Sequence, residues 1–218
     1  MKNSLFCKIV VFAVATVFAT SALAAGSDAF NRKKLGAKWV VTSGTLAISN
    51  HRLTGASTSL GYLTTSANDT AASAIVFLGG TDVEYGAIAL GNIAGLSNAF
   101  VKLQSQNASG TTFDTAGFYN GNNTGGEFFD LSTPVPSPAI VDVFFCGTVA
   151  NMRITSLAGV QTYTYDYGTT YGPGGGLGTY GKIGLDNYVG FPSSCGDALD
   201  NAIPATAMPR ARDLSLGQ

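Results

Sequence analysis

The chain has 218 residues, 45% of them hydrophobic and only 11% charged, with a formal net charge of -1. That length is ample for one domain with a real core. A charge so near zero excludes a nucleic-acid binder built on phosphate neutralisation and a polybasic membrane-surface binder.

The first segment, "MKNSLFCKIVVFAVATVFATSALAAG", has a short basic start at Lys2 and Lys8, an apolar run, and then Ala22-Leu23-Ala24. The small-x-small ending fits a signal peptidase, so residues 1–24 are read as a signal peptide. The apolar run is short for an anchor helix, which needs about 20 residues to span a bilayer. Cys7 precedes that run and follows Phe6, where a lipoprotein site needs a small residue. Without Lys2 and Lys8, 10 of the 12 basic residues remain against 13 acidic ones. The expected location is secreted or periplasmic, with no membrane contact after signal cleavage. Cys146 and Cys195 are then the remaining cysteines, and a pair in an oxidising compartment reads as a disulfide. Closing a loop of that size typically stabilises by about 2–4 kcal/mol.

Residues 25–202 read as one domain. The chain carries 28 glycines and no long i, i+3, i+4 apolar stripe; short β-rich runs take the place of helices. In order they are "KWVVT", "TLAIS", "LGYLTT", "SAIVFL", "VEYGAIAL", "AFVKLQSQ", "FDTAGFY", "AIVDVFFC", "TVANMRIT", "VQTYTYDY" and "GKIGLDNY". About a dozen strands separated by turn residues predict an all-β, two-sheet antiparallel sandwich. "STPVPSP" (132–138) is expected to be a loop, because proline cannot sit in a central strand. In 140–146 both alternating faces are largely apolar, which predicts a central strand. In 148–154, Ala150, Met152 and Ile154 are expected inward, and Asn151 and Arg153 outward toward water. The tail from 203 to 218 has no apolar period and is expected to fray.

The opening, "DAFNRKKLGAKWVVTSGTLAISNHRL", resembles that of the concanavalin A-like lectin/glucanase (laminin-G-like) jelly rolls of secreted bacterial proteins. The matching residues are Asp28, Phe30, Arg32, Leu35, Gly36, Trp39, Ser43, Gly44, Ile48, Asn50 and Leu53. "IGLDNY" at 183–188, or alternatively "LDNA" at 199–202, resembles the closing strand of such domains. The resemblance implies a jelly roll whose first strand lies beside its last, with Trp39 packed inside and the lysines around it in water. Its motifs are structural and say little about chemistry.

Glucanases of this fold class carry alternating acids on one strand, and the nearest match is Asp82 and Glu84 in "GGTDVEYG". A pair at that spacing is geometrically compatible with retaining hydrolysis, but glycines occupy 80 and 86, where a third acid would stand. A serine triad has no motif to rest on, and His51 is the only histidine. Zinc has too few ligands here. Calcium is the metal with a candidate set, the hard oxygens of Asp114, Asn120, Asn122, Asn123, Glu127 and Asp130 around a Gly-rich turn. The same residues also suit a tight hairpin.

Aromatics give the sharpest binding expectation. Tyr163, Tyr165 and Tyr167 alternate along one strand face, with Tyr171 just beyond, and such rings suit stacking against sugars. Gln104, Gln106, Asn107, Asn120 and Asn122 are candidate amide partners. The leading reading is a secreted, non-catalytic sandwich that binds a glycan or another surface partner, with no cofactor beyond calcium. A glycoside hydrolase and a purely structural extracellular protein are the alternatives.

Overall fold

The computed structural model describes residues 26–55, 59–64, 71–79, 83–89, 99–106, 111–119, 126–168, 176–180 and 183–191. The expected signal peptide and tail, together with Asp82, Asn107, Asn120, Asn122, Asn123, Tyr171 and Cys195, lie outside the described residues. Fifteen strands are present among the described residues. The first set is β1 (Gly26–Asp28), β3 (Leu46–Ser49), β4 (Arg52–Gly55), β6 (Ala71–Phe77), β11 (Ala139–Cys146), β12 (Val149–Ser156), β13 (Gly159–Asp166) and β15 (Gly184–Phe191). It forms an eight-stranded sheet in the order β13-β12-β11-β6-β15-β4-β3, with β1 on β15. The second set is β2 (Trp39–Ser43), β5 (Ser59–Leu63), β7 (Glu84–Ala89), β8 (Phe100–Ser105), β9 (Thr112–Tyr119), β10 (Gly126–Pro136) and β14 (Gly176–Tyr180). It forms a seven-stranded sheet in the order β10-β9-β8-β7-β14-β5-β2.

Period-2 alternation turns one face of each sheet into a shared core. Leu53, Val76, Val141, Val143, Met152, Ile154 and Leu185 meet Leu63, Ile88, Val101, Leu103, Phe118 and Leu177. Each fully buried side chain of this size contributes about 1.5–3 kcal/mol. The sheets approach closely at Gly86, where an added Cβ would lie 2.7 Å from Val76 Cγ1 in the opposite sheet.

The opening motif is a structural clasp centred on Asp28. Its carboxylate accepts from Arg32 Nη1 and Nη2 at 2.6 and 2.5 Å, from Trp39 Nε1 at 2.6 Å and from the Phe30 amide at 2.8 Å. Arg32 also donates to the carbonyls of Lys34 and Leu35. Burial works against the Asp28 charge, but the bonds from Arg32, Trp39 and Phe30 outweigh it and hold the carboxyl below its ordinary value. Phe30 and Trp39 pack with ring centroids 5.8 Å apart, both buried in the core. Lys33, Lys34 and Lys38 are exposed, as the resemblance implies. The strand beside the last one is the short β1, paired Ser27 to Val189, whereas Trp39 opens β2 at the edge of the other sheet.

Two details differ from the sequence reading. Strand β10 continues through Pro134 and Pro136, so most of the expected 132–138 loop is strand. Proline is accommodated because β10 is an edge strand, with a register shift between Asp130 and Val135. Arg153 does not face water. It lies on the outward face of β12, yet is buried, with Nε donating to Asp142 Oδ2 at 3.0 Å. Asp142 and Arg153 are direct cross-strand partners, and Ser73 stands opposite Asp142 on the other side. His51 is exposed within the turn between β3 and β4, where Asn50 and His51 both have positive φ, 51° and 60°, which suits a tight two-residue hairpin.

The expected central strand is central: β11 lies between β6 and β12. Its inner face carries Val141 and Val143, and on its outer face Ile140 packs with Ile75 and Phe77 in a second buried cluster. Burial pushes the Asp142 carboxyl up, opposed by Ser73 and Arg153.

Candidate functional site

The tyrosine row lies on one face of β13, but that face points between the sheets. Tyr163, Tyr165 and Tyr167 are half-buried and packed against the core. Tyr163 meets Phe129 at 4.4 Å between ring centroids, Tyr165 meets Phe118 at 5.8 Å, and Tyr167 stands edge-on to Tyr165 at 4.7 Å. Their hydroxyls are used as well. Tyr163 donates to Gln161 Oε1 at 2.7 Å and accepts from the Ser132 amide, while Tyr167 reaches the Tyr119 carbonyl at 3.0 Å. Gln161 Nε2 donates to the Thr133 carbonyl, completing a polar latch between β10 and β13. The row closes the sandwich edge and offers no open stacking platform along β13.

The acidic candidates are dispersed. Glu84 is buried, accepts the Gly79 amide at 3.0 Å, and shares the inward parity of Gly86, so it faces the space between the sheets. Asp114 accepts the Gln106 amide at 2.8 Å. Glu127 and Asp130 are exposed and three positions apart on β10, which puts them on opposite faces. Among the described residues, no group of three acidic, histidine or cysteine side chains gathers as a metal site. Cys146 ends β11, and its expected partner is outside the described residues.

The outward face of the seven-stranded sheet gathers what the row on β13 does not. Strand pairing lines up Gly178, Ala87, Lys102, Gly117 and Phe128 across five strands. On one side the next outward row holds Tyr62, Gly176, Ala89, Phe100 and Tyr119. On the other it holds Tyr85, Gln104, Thr115 and Asp130. Rows two residues apart are separated by about 7 Å. A line of glycine and alanine with Lys102 at its middle is therefore flanked by rings.

Lys102 sits inside that setting. Its Nζ lies 4.3 Å from the Tyr119 ring centroid, 4.6 Å from that of Tyr85 and 5.7 Å from that of Phe128. Burial pushes its ammonium pKa down. Tyr119 stacks on Phe100 at 5.0 Å with the planes 7° apart, and its phenol is pushed up to about 12 by burial and the neighbouring Tyr85. Gly117 makes the arrangement fit, since an added Cβ would come within 2.6 Å of the Tyr119 ring and 3.0 Å of the Phe128 ring. Phe128 is 42% exposed, so an apolar ring is open to solvent here. Gln104 is only 7% exposed, and its Oε1 has no hydrogen-bond partner.

Of these residues the sequence reading singled out Gln104 and, as a calcium ligand, Asp130. The missed signal is alternation in "AFVKLQSQ" and "FDTAGFY". Phe100, Lys102 and Gln104 share one face of β8, as Thr115, Gly117 and Tyr119 do on β9.

No protein-family model and no curated protein matches the chain in sequence. Solved structures do match in fold. The carbohydrate-binding module CBM66 from Bacillus subtilis superposes with a TM-score of 0.50 at 12% identity, covering 74% of this chain and 94% of that one. The Crh5 transglycosylase in complex with NAG gives 0.55 at 14% identity, covering 79% and 86%. A prokaryotic β-1,3-1,4-glucanase (lichenase) derived from a mouse hindgut metagenome gives 0.53 at 9% identity, covering 77% and 98%. The chain thus has the concanavalin A-like lectin/glucanase sandwich, as its opening residues led us to expect. A binding module, a transglycosylase and a glucanase share that frame, so the function must be argued from the site.

Proposed function

We propose that this protein is a secreted, non-catalytic glycan-binding sandwich that holds its ligand on the outward face of the seven-stranded sheet. The observation carrying the reading is the line of small residues through Lys102, bordered by Tyr85, Phe100, Tyr119 and Phe128. Sugar C–H faces stack on such rings, and a buried amide oxygen without a partner, that of Gln104, is suited to accept from a sugar hydroxyl. The fold likeness to a carbohydrate-binding module supports the same reading. A non-catalytic role is supported by Glu84, whose carboxylate is turned inward and holds the Gly79 amide.

Export is part of the proposal, carried by the leader at 1–24 and by the Cys146–Cys195 bridge that an oxidising compartment would preserve. Non-reducing peptide mapping of the secreted protein should recover a peptide joining these two cysteines.

The function is tested by affinity electrophoresis of the purified protein through gels containing different polysaccharides, with calcium and with chelator. Retardation on a glycan that remains intact, and its loss in Tyr119→Ala, is the expected result. Depolymerisation of the retarding glycan would instead favour a hydrolase. A chelator effect would return Asp114, Glu127 and Asp130 to consideration as calcium ligands. Retardation unchanged in Tyr119→Ala would remove this face as the site.

A further inference from the structure

We infer that the glycan recognised on this face is acidic, and that Lys102 is the seat of its negative charge. The inference rests on the glycan-binding reading above and specifies its ligand class. Lys102 is partly withdrawn from water and has no acidic partner among the described residues; its neighbours are the rings of Tyr85, Tyr119 and Phe128. Ring faces attract a cation, but they supply no lone pair to the three N–H donors of an ammonium. A cation moved out of water without a counter-charge is disfavoured. An anionic ligand group placed over the Gly178–Ala87–Gly117 line would supply both the charge and the acceptors. Asp130, which also faces outward, lies on the edge strand, two strands from Lys102.

Gln104 gives the second, independent observation. It lies two residues along β8 from Lys102, on the same face, almost fully buried and with Oε1 unpartnered. The step between them is about 7 Å, within reach of one substituted sugar ring. Lys102 would donate to the acidic group while Gln104 Oε1 accepts from a hydroxyl. Both demands are met by a sugar bearing an acid, whereas a neutral sugar offers Lys102 hydroxyl acceptors but no counter-charge.

The test uses matched glycan pairs on one array: oligogalacturonides with their carboxyl-reduced counterparts, and a sulfated galactan with its desulfated form. These pairs distinguish a carboxylate from a sulfate as the source of charge. Wild type, Lys102→Met and Lys102→Arg are compared, with thermal melts to confirm folding. The expected result is a preference of about tenfold or more for the charged member of at least one pair. That preference should disappear in Lys102→Met, survive in part in Lys102→Arg, and weaken in high salt. Equal binding of charged and neutral members, or binding confined to neutral glycans, would overturn the acidic assignment and leave the glycan reading standing. A preference for charged glycans unaltered in Lys102→Met would overturn the role of Lys102. Binding to no glycan on the array would overturn both readings together.

Discussion

The outward faces of the two sheets each withdraw a basic side chain from water, and they treat it in opposite ways. On the eight-stranded sheet, Arg153 is buried against Asp142 at 3.0 Å, with Ser73 on the far side. On the seven-stranded sheet, Lys102 is half-buried among aromatic rings, with no acidic partner among the described residues. The first arrangement is closed: charge meets charge, and both partners belong to the framework. The second is open, combining an ammonium, exposed apolar surface at Phe128 and an unpartnered amide oxygen at Gln104. Both faces hold buried polar atoms without a partner, Ser73 Oγ and Asp142 Oδ1 on one and Gln104 Oε1 on the other. The difference lies in the charges: Arg153 is paired with an acid, and Lys102 has no acidic partner among the described residues.

The two cations should respond very differently to substitution. Arg153→Met leaves the Asp142 carboxylate buried without its partner and should cost about 3–5 kcal/mol in urea unfolding. Replacing both Asp142 and Arg153 by apolar residues of similar volume should recover much of that loss. Lys102→Met removes a cation with no acidic partner and should leave unfolding free energy unchanged or slightly raised. A loss in Lys102→Met as large as that in Arg153→Met would contradict the distinction.

Asp28 sharpens the comparison through pH. Its carboxyl is held below the ordinary range by Arg32, Trp39 and the Phe30 amide against the cost of burial, whereas burial raises that of Asp142. A lowered carboxyl contributes stability that is fully present above its unfolded value, near 4, and is lost as pH falls through its lower folded value. The Asp142 contribution has the opposite sign and declines as pH rises from the unfolded value through the folded one. Asp28→Asn should destabilise by roughly 2 kcal/mol near neutral pH by weakening charged hydrogen bonds. It should also flatten the acid limb of a stability–pH curve.

The binding face should respond in affinity and little in stability. Phe128→Ala removes an exposed ring and should weaken glycan binding about tenfold, with a melting temperature near that of the wild type. Gly117→Ala pushes against the Tyr119 and Phe128 rings and should weaken binding several-fold, a smaller effect of the same kind. A Gly117→Ala protein with unaltered binding and a repacked Tyr119 would show that the ring positions are not what the ligand reads.

Much of the framework was legible in the sequence, for physical reasons that differ by element. Strand β11 announced its central place because both of its alternating faces are apolar. The Asp28 clasp was legible as a motif because one carboxylate needs Arg32, Trp39 and a turn at fixed spacing. Arg153 misled because alternation reports which face a side chain occupies, not whether that face is wet. Its partner stands in the neighbouring strand, and only register brings the two together. Pro134 and Pro136 misled because proline excludes a central strand but not an edge with a bulge.

The site was less legible than the frame. The tyrosines of β13 stood out because three of them alternate in one short run, yet that alternation put them on the inward face. The outward rings at Tyr85, Phe100, Tyr119 and Phe128 come from four strands, with one ring from each. No single run reveals them, because their proximity exists only once β7, β8, β9 and β10 are in register.

The central claim is that the ligand face is the outward side of the seven-stranded sheet. It is tested most directly by amide chemical-shift mapping of the purified protein, titrated with an oligosaccharide derived from a glycan that retards it. Perturbations are expected to centre on Tyr85, Phe100, Lys102, Gln104, Gly117, Tyr119 and Phe128, with Thr162 and Thr164 of β13 unmoved. Perturbations centred on β13, or on the outward face around Asp142 and Arg153, would contradict that claim.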